Sequence, residues 1–207
     1  MYIAYQIRMP FIPIRRSVAF ALFAFPLLAG AQPAADLVAA ARAQIGVTVS
    51  YSPRYEKIAY PNGDVPAARG VCTDVVIRAY RKLGLDLQSL LHEDMGKAWP
   101  AYPKLWQLKA RDSNIDHRRV PNLQVFFKRQ GSALPVTQKE GDYRPGDIVT
   151  WMLPGNLPHI GIVSDKRAWS GVPMIIHNIG AGTREEDVLF AYPLTGHYRW
   201  TAQAARP

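Results

Sequence analysis

Residues 70–84 read Gly70-Val71-Cys72-Thr73-Asp74-Val75-Val76-Ile77-Arg78-Ala79-Tyr80-Arg81-Lys82-Leu83-Gly84. Val75, Val76, Ala79, Tyr80 and Leu83 recur at three- and four-residue steps, the period of a helix with one apolar stripe. Gly84 offers the left-handed residue on which such helices end. Cys72 therefore stands at the N-terminus of a helix that must bury its stripe against another layer. It is also the single cysteine among 207 residues. That excludes an intrachain disulfide, and it excludes zinc sites built on four cysteines or on two cysteines and two histidines.

The layer that could receive the stripe lies in the last third of the chain. Asp147–Leu153, His159–Asp165, Met174–Ile179 and His197–Thr201 read as strands rich in Ile, Val, Trp and Tyr. Pro154-Gly155-Asn156, Ser170-Gly171 and a Gly180–Asp187 loop separate them. Before the cysteine, residues 36–45 read as a helix capped by Asp36 and stopped by Gly46. Residues 47–70 hold Pro53, Pro61, Gly63, Pro66 and three tyrosines, Tyr51, Tyr55 and Tyr60. They predict a long irregular loop, a kind of segment that tends to be functional. Asp86 opens a further helix over 86–98, and Asn122 caps one over Leu123–Gln130 that Gly131 ends. Helices first and an antiparallel sheet second predict an α+β fold.

The N-terminus stands apart. Arg8, Arg15 and Arg16 precede the apolar run Val18–Leu28, and Ala29-Gly30-Ala31 follows. This is the pattern of a secretory signal peptide, with an apolar run shorter than the roughly 20 residues of a spanning helix. The expectation is cleavage after Ala31, leaving 32–207 as a single domain with no stable membrane span, exported to a bacterial periplasm. With 48% hydrophobic and 20% charged residues the chain is globular rather than disordered. The net charge is +9, and cleavage after Ala31 would remove three arginines and no acid to leave +6, which favours anionic surroundings such as cell-wall polymer or lipid head groups. The basic residues are scattered and form no aromatic-interleaved stripe, so nucleic acid is not the expected partner.

A thiol is a weak nucleophile until it loses its proton, and both a helix N-terminus and a nearby imidazole favour the thiolate. Among His92, His117, His159, His177 and His197, two are placed for that work. His159 opens the strand Ile160-Gly161-Ile162-Val163, and His177 lies in Met174-Ile175-Ile176-His177-Asn178 on a neighbouring strand. Cys72, His159 and His177 then read as nucleophile, base and orienter, the last fixing the tautomer of the base. The Cys72 backbone N–H would hold the oxyanion, with Tyr51 or Tyr55 as a second donor. Asp74 is either a first-turn acid that stabilises the helix or a substrate contact. In Asp116-His117-Arg118-Arg119-Val120-Pro121-Asn122, Arg118 and Arg119 form either a solvated loop or an anion-binding edge. Asp147 reads as a turn residue, and His92 and His197 as structural or exposed.

Pro145-Gly146-Asp147-Ile148-Val149, His159–Val163 and Ile176-His177-Asn178 resemble the C-terminal half of NlpC-type cell-wall cysteine peptidases, members of the papain-like superfamily. The resemblance implies a cysteine on a helix packed against a small antiparallel sheet that carries the histidine. It implies the same three roles for Cys72, His159 and His177. Over about 36–200 the chain more closely resembles a bacterial family known as domain of unknown function 1287. It departs from the peptidases at the cysteine, where Val71-Cys72-Thr73-Asp74 replaces Asp-Cys-Ser-Gly. Loss of that preceding Asp removes a contact for a substrate amine, so stem-peptide specificity is not inherited.

The resulting expectation is an exported cysteine hydrolase that cleaves an amide, with peptidoglycan or its fragments as partner and no metal or organic cofactor required. Three other readings use the same residues. One is an acyltransferase or ester and lipid hydrolase. Another is a zinc site on Cys72, His159 and His177 with one open position. The third is a non-catalytic wall-binding module.

Overall fold

The structure, a computed structural model, describes residues 31–107 and 109–201. The expected signal segment lies outside the described residues, apart from Ala31. Among the described residues no helix is long and apolar enough to cross a membrane. Four helices come first: α1 (Ala31–Arg42), α2 (Cys72–Lys82), α3 (Leu87–Lys97) and α4 (Val120–Arg129). A sheet follows, made of β3 (Ala133–Leu134), β4 (Ile148–Leu153), β5 (Leu157–Arg167), β6 (Pro173–Asn178), β7 (Thr183–Glu186) and β8 (Leu194–Tyr198). Its order is β3-β8-β4-β5-β6-β7 with every pair antiparallel. Within the long loop, β1 (Ser50–Tyr51) and β2 (Arg69–Gly70) make a short parallel pair. This is the α+β arrangement expected, with the cysteine helix laid on an antiparallel sheet.

Both faces of the sheet are covered. Val75, Val76, Ala79 and Tyr80 of α2 share one buried core with Ile148, Ile160, Ile162 and Ile176, joined by Leu37 and Val38 of α1 and Phe126 and Phe127 of α4. On the other face Val149, Trp151, Val163 and Ile175 pack with Tyr143 and Leu189. A strand buried on both sides has no solvent face, which is why Ile148–Trp151, broken only by Thr150, and Ile160–Val163 do not read as alternating strands.

Several boundaries differ from expectation for identifiable reasons. α1 already runs from Ala31, so Asp36 sits within it rather than capping it. α4 starts at Val120 with Pro121 in its first turn, and the Asn122 amide donates to the Asp116 carbonyl at 3.0 Å instead of capping. β5 extends back to Leu157 because Leu157 and Pro158 pair with Leu153 and Met152 across a hairpin whose Gly155 and Asn156 both have positive φ. β8 stops at Tyr198 because the next two side chains leave the sheet: Arg199 binds Asp147, and Trp200 enters the ring cluster of Tyr80, Phe126 and Phe127. The expected Gly180–Asp187 loop contains β7.

Asp147 corrects its reading as a turn residue. It is buried, and its carboxylate accepts from His197 Nε2 at 2.7 Å and from Arg199 Nε and Nη2, both at 2.7 Å. The Arg144 backbone N–H adds a bond at 2.9 Å. Burial alone would raise this carboxyl, but the His197, Arg199 and Arg144 hydrogen bonds bring it below the usual carboxylate range. The cluster locks β8 to the start of β4. Asp147→Ala leaves His197 and Arg199 facing a hole, and removal of one member of a buried charge pair costs about 3–5 kcal/mol. Urea unfolding at pH 7 is expected to show that loss. A carboxyl with a depressed folded value stabilises above its unfolded pKa of about 3.9. The difference between wild type and variant should therefore persist at neutral pH and shrink as acid takes the solution below that point.

Candidate active site

The start of α2 is held from several directions. Val71 is extended and caps the helix, and its N–H donates to Asp74 Oδ2 at 2.6 Å, one half of a capping box. Asp74 also takes a two-pronged ion pair from Arg118, with Nε to Oδ1 at 2.9 Å and Nη2 to Oδ2 at 3.0 Å. Both side chains are only 3% exposed. The same guanidinium donates to the carbonyls of Arg54 at 3.2 Å and Ser52 at 3.4 Å. The Thr73 hydroxyl donates to the Arg118 carbonyl at 3.1 Å. From the sheet, the Asn178 amide donates to the Gly70 carbonyl at 3.2 Å. Cys72 is the first residue of the helix these bonds position.

The histidines meet across the sheet. His159 Nε2 lies 2.9 Å from His177 Nδ1, and His177 Nε2 lies 3.0 Å from Glu186 Oε2. All three stand on adjacent strands, β5, β6 and β7. Gly161 makes room for the middle ring: a Cβ there would fall 2.6 Å from Ile175 Cγ2 and 3.2 Å from His177 Cβ. Trp151 pairs with His159 in register, their ring centroids 5.8 Å apart, and covers the relay from the second core. The thiol meets the sheet one residue beyond His159. Backbone N–H groups of Ile160, Thr73 and Cys72 itself all interact with the sulfur.

Burial governs the charges. Cys72 is 4% exposed, and desolvation pushes its thiol up to about 12, the Asp74 charge adding to the rise and the three N–H groups opposing it. Desolvation takes His159 down to about 3, helped by His177. His177 is also lowered by burial, with Glu186 pulling the other way. Against the helix N-terminus, which favours the thiolate, burial favours the neutral thiol and the neutral imidazole. Either charge alone is unfavourable in this site. Proton transfer from sulfur to imidazole creates both together, opposite in sign, and leaves the net charge of the site unchanged.

The other expected site residues divide. Tyr51 is 40% exposed, and its hydroxyl is pushed up to about 12 by desolvation and then by the charges of Cys72 and Asp74, so it stays a donor within electrostatic range of the thiol. Tyr55 is 59% exposed and its hydroxyl is occupied by Asp112 at 3.0 Å and Asn114 at 3.1 Å. Asp74 and Arg118 bind each other rather than solvent. Arg119 turns away, its guanidinium 5.0 Å from the Trp106 ring centre. The anticipated double-arginine edge is thus not formed, because only interior partners satisfy Arg118. Sequence reasoning missed Glu186, Asn178 and the Ile160 N–H. Among the described residues no three His, Cys, Asp or Glu side chains are grouped to hold a metal ion. His159 and His177 instead contact each other directly.

The family described as domain of unknown function (DUF1287) matches residues 38–200. An Escherichia coli K12 protein, "Uncharacterized protein YijF", is 56% identical over 160 residues, covering 77% of this chain and 78% of its own. The solved structure of NlpC1 from Trichomonas vaginalis matches with a TM-score of 0.42 and 15% identity, over 80% of this chain and 44% of that one.

Two measurements check this geometry. Gly161→Ala should displace the His177 ring and break the imidazole pair while the fold survives, visible as shifted histidine resonances with unchanged far-ultraviolet circular dichroism. Iodoacetamide should label Cys72 at pH 7 at least about 100-fold more slowly than a free thiol of pKa about 8.5. Its rate should still be climbing at pH 9; a plateau below pH 8 would contradict a thiol held protonated by burial.

Proposed function

The chain belongs to the family described as domain of unknown function (DUF1287), and from the site itself we propose that it is a cysteine hydrolase acting on an amide bond. The observation that carries this reading is one arrangement. A sole cysteine on the first turn of a helix meets the strand that holds one histidine, and that histidine is hydrogen-bonded to a second. In this mechanism His159 takes the thiol proton as the sulfur attacks the substrate carbonyl carbon. The developing oxyanion is received by the Cys72 backbone N–H and the Tyr51 hydroxyl. The C–N bond breaks, the departing amine takes the proton from His159, and a thioester remains on Cys72. Water, deprotonated by His159, then releases the acid and restores the thiol.

The proposed substrate is peptidoglycan or its fragments, and the proposed location is the periplasm. Three features support this: the export pattern of residues 1–31, the net charge of +6 that remains on the exported chain against an anionic polymer, and the sequence resemblance to cell-wall peptidases. With Val71 ahead of the cysteine, the substrate amine is not bound as in the Asp-Cys-Ser-Gly peptidases. The bond cleaved is accordingly left to a screen of amides in wall fragments.

Release of new amino groups from purified sacculi and soluble muropeptides, followed by mass spectrometry, tests the proposal. Cys72→Ala should abolish release while leaving thermal unfolding close to wild type. Tyr51→Phe, which removes one oxyanion donor, should lower kcat by about 10²-fold with little change in KM. Undiminished turnover by pure Cys72→Ala protein would overturn it. Transfer of the acyl group to an added amine in preference to water would assign the chain to acyl transfer instead.

A further inference from the structure

We infer that Glu186 is a positioning residue that sets the tautomers of both site histidines, so that His159 presents its lone pair at Nδ1. The inference deepens the hydrolase reading and rests on it only for the use to which that lone pair is put.

The argument is a count of hydrogens along a row. An ionised carboxylate can only accept, so the 3.0 Å contact from His177 Nε2 to Glu186 Oε2 requires the proton of His177 on Nε2. A neutral imidazole carries one N–H, which leaves a lone pair on His177 Nδ1. That lone pair faces His159 Nε2 at 2.9 Å, so His159 must carry its proton on Nε2. Its Nδ1 is then bare and basic. Reverse the chain, and His159 would hold a proton on Nδ1 and could accept none from a thiol. Two imidazoles in contact do not choose between these directions by themselves. The acceptor at the end of the row makes the choice.

The surroundings agree with this assignment. A doubly protonated His177 would donate to His159 and reverse the direction, but burial holds His177 below its ordinary value. Arg184 Nη1 lies 3.8 Å from the second oxygen of Glu186, a cation on the outer side of the carboxylate. Glu185, the neighbouring acid, is engaged with Arg42, Ser164 and Lys166 and does not compete for His177. The Glu186 side chain is about one-third exposed on an edge strand, so its replacement does not open the core.

The test is long-range proton–nitrogen correlation of the protein labelled with ¹⁵N at histidine, at pH 7. Wild type should show His159 and His177 both as Nε2–H tautomers. Glu186→Ala should move His177, and His159 with it, toward a mixture or to the Nδ1–H form. Glu186→Gln keeps an acceptor oxygen and should restore the wild-type tautomers. An Nδ1–H tautomer for His159 in wild type would overturn the inference. So would unchanged tautomers in Glu186→Ala. The spectra need no turnover, so a failure of the hydrolase reading and a failure of this one are separately visible. Loss of activity in Cys72→Ala bears only on the former, and the tautomers bear only on the latter.

Discussion

The site depends on a pair of charges buried against each other. Asp74 and Arg118 are both taken from water, a step that is costly unless every donor and acceptor finds a partner. Here the two-pronged bond joins the two charges, the carbonyls of Arg54 and Ser52 take two further guanidinium N–H groups, and the Val71 N–H adds to the carboxylate. Arg54 and Ser52 belong to the tyrosine loop, Val71 to the start of α2, and Arg118 itself to the 116–118 segment. The pair therefore clamps the first turn of α2, the tyrosine loop and the 116–118 segment to one another. Tyr51, paired with Gly70, is thereby held to the chain that leads into Cys72. Neutralising either charge would strand the other and loosen all three segments at once.

The clamp makes an enclosed site, and enclosure has an electrostatic price. The dry surroundings that raise the thiol and lower His159 also strengthen any hydrogen bond made inside. A site of this kind is quiet at rest and becomes reactive only when both charges can form together. The helix N-terminus contributes two of the three N–H groups near sulfur, those of Cys72 and Thr73, yet together with the Ile160 N–H of β5 they do not outweigh desolvation. Its larger effect in the proposed reaction falls on the oxyanion, which develops beside the same N–H groups after the thiol has given up its proton.

Much of the fold was legible because it rests on local periodicity. The α2 stripe, the apolar strands and the stops at Gly84 and Gly131 are each written within a dozen residues. Cys72, His159 and His177 were legible too, since a helix start and two neighbouring strands confine them. What escaped has no local signature. Asp74 and Arg118 lie 44 residues apart, and nothing near either announces the other. β7 reads Thr-Arg-Glu-Glu, a polar edge strand with no core face to declare itself, and Glu186 was hidden with it. Asp147 passed for a turn residue because its partners, His197 and Arg199, come at the far end of the chain. Tyr55 was indistinguishable from Tyr51 until Asp112 and Asn114 were seen to hold it.

The same edge strand resolves an apparent conflict between stability and chemistry. An edge of a sheet invites further pairing, and charged residues blunt that tendency. Along β7 the charges are also matched to the sheet and to α1: Glu185 to Arg42 and Lys166, Glu186 to His177. An apolar edge would have offered His177 no acceptor, and a sheet that continued past β7 would have required an apolar or neutral strand in its place. The relay can therefore end in a carboxylate because the sheet itself ends there. The topology β5-β6-β7 lays His159, His177 and Glu186 side by side, and the limit of the sheet leaves the third of them in reach of water.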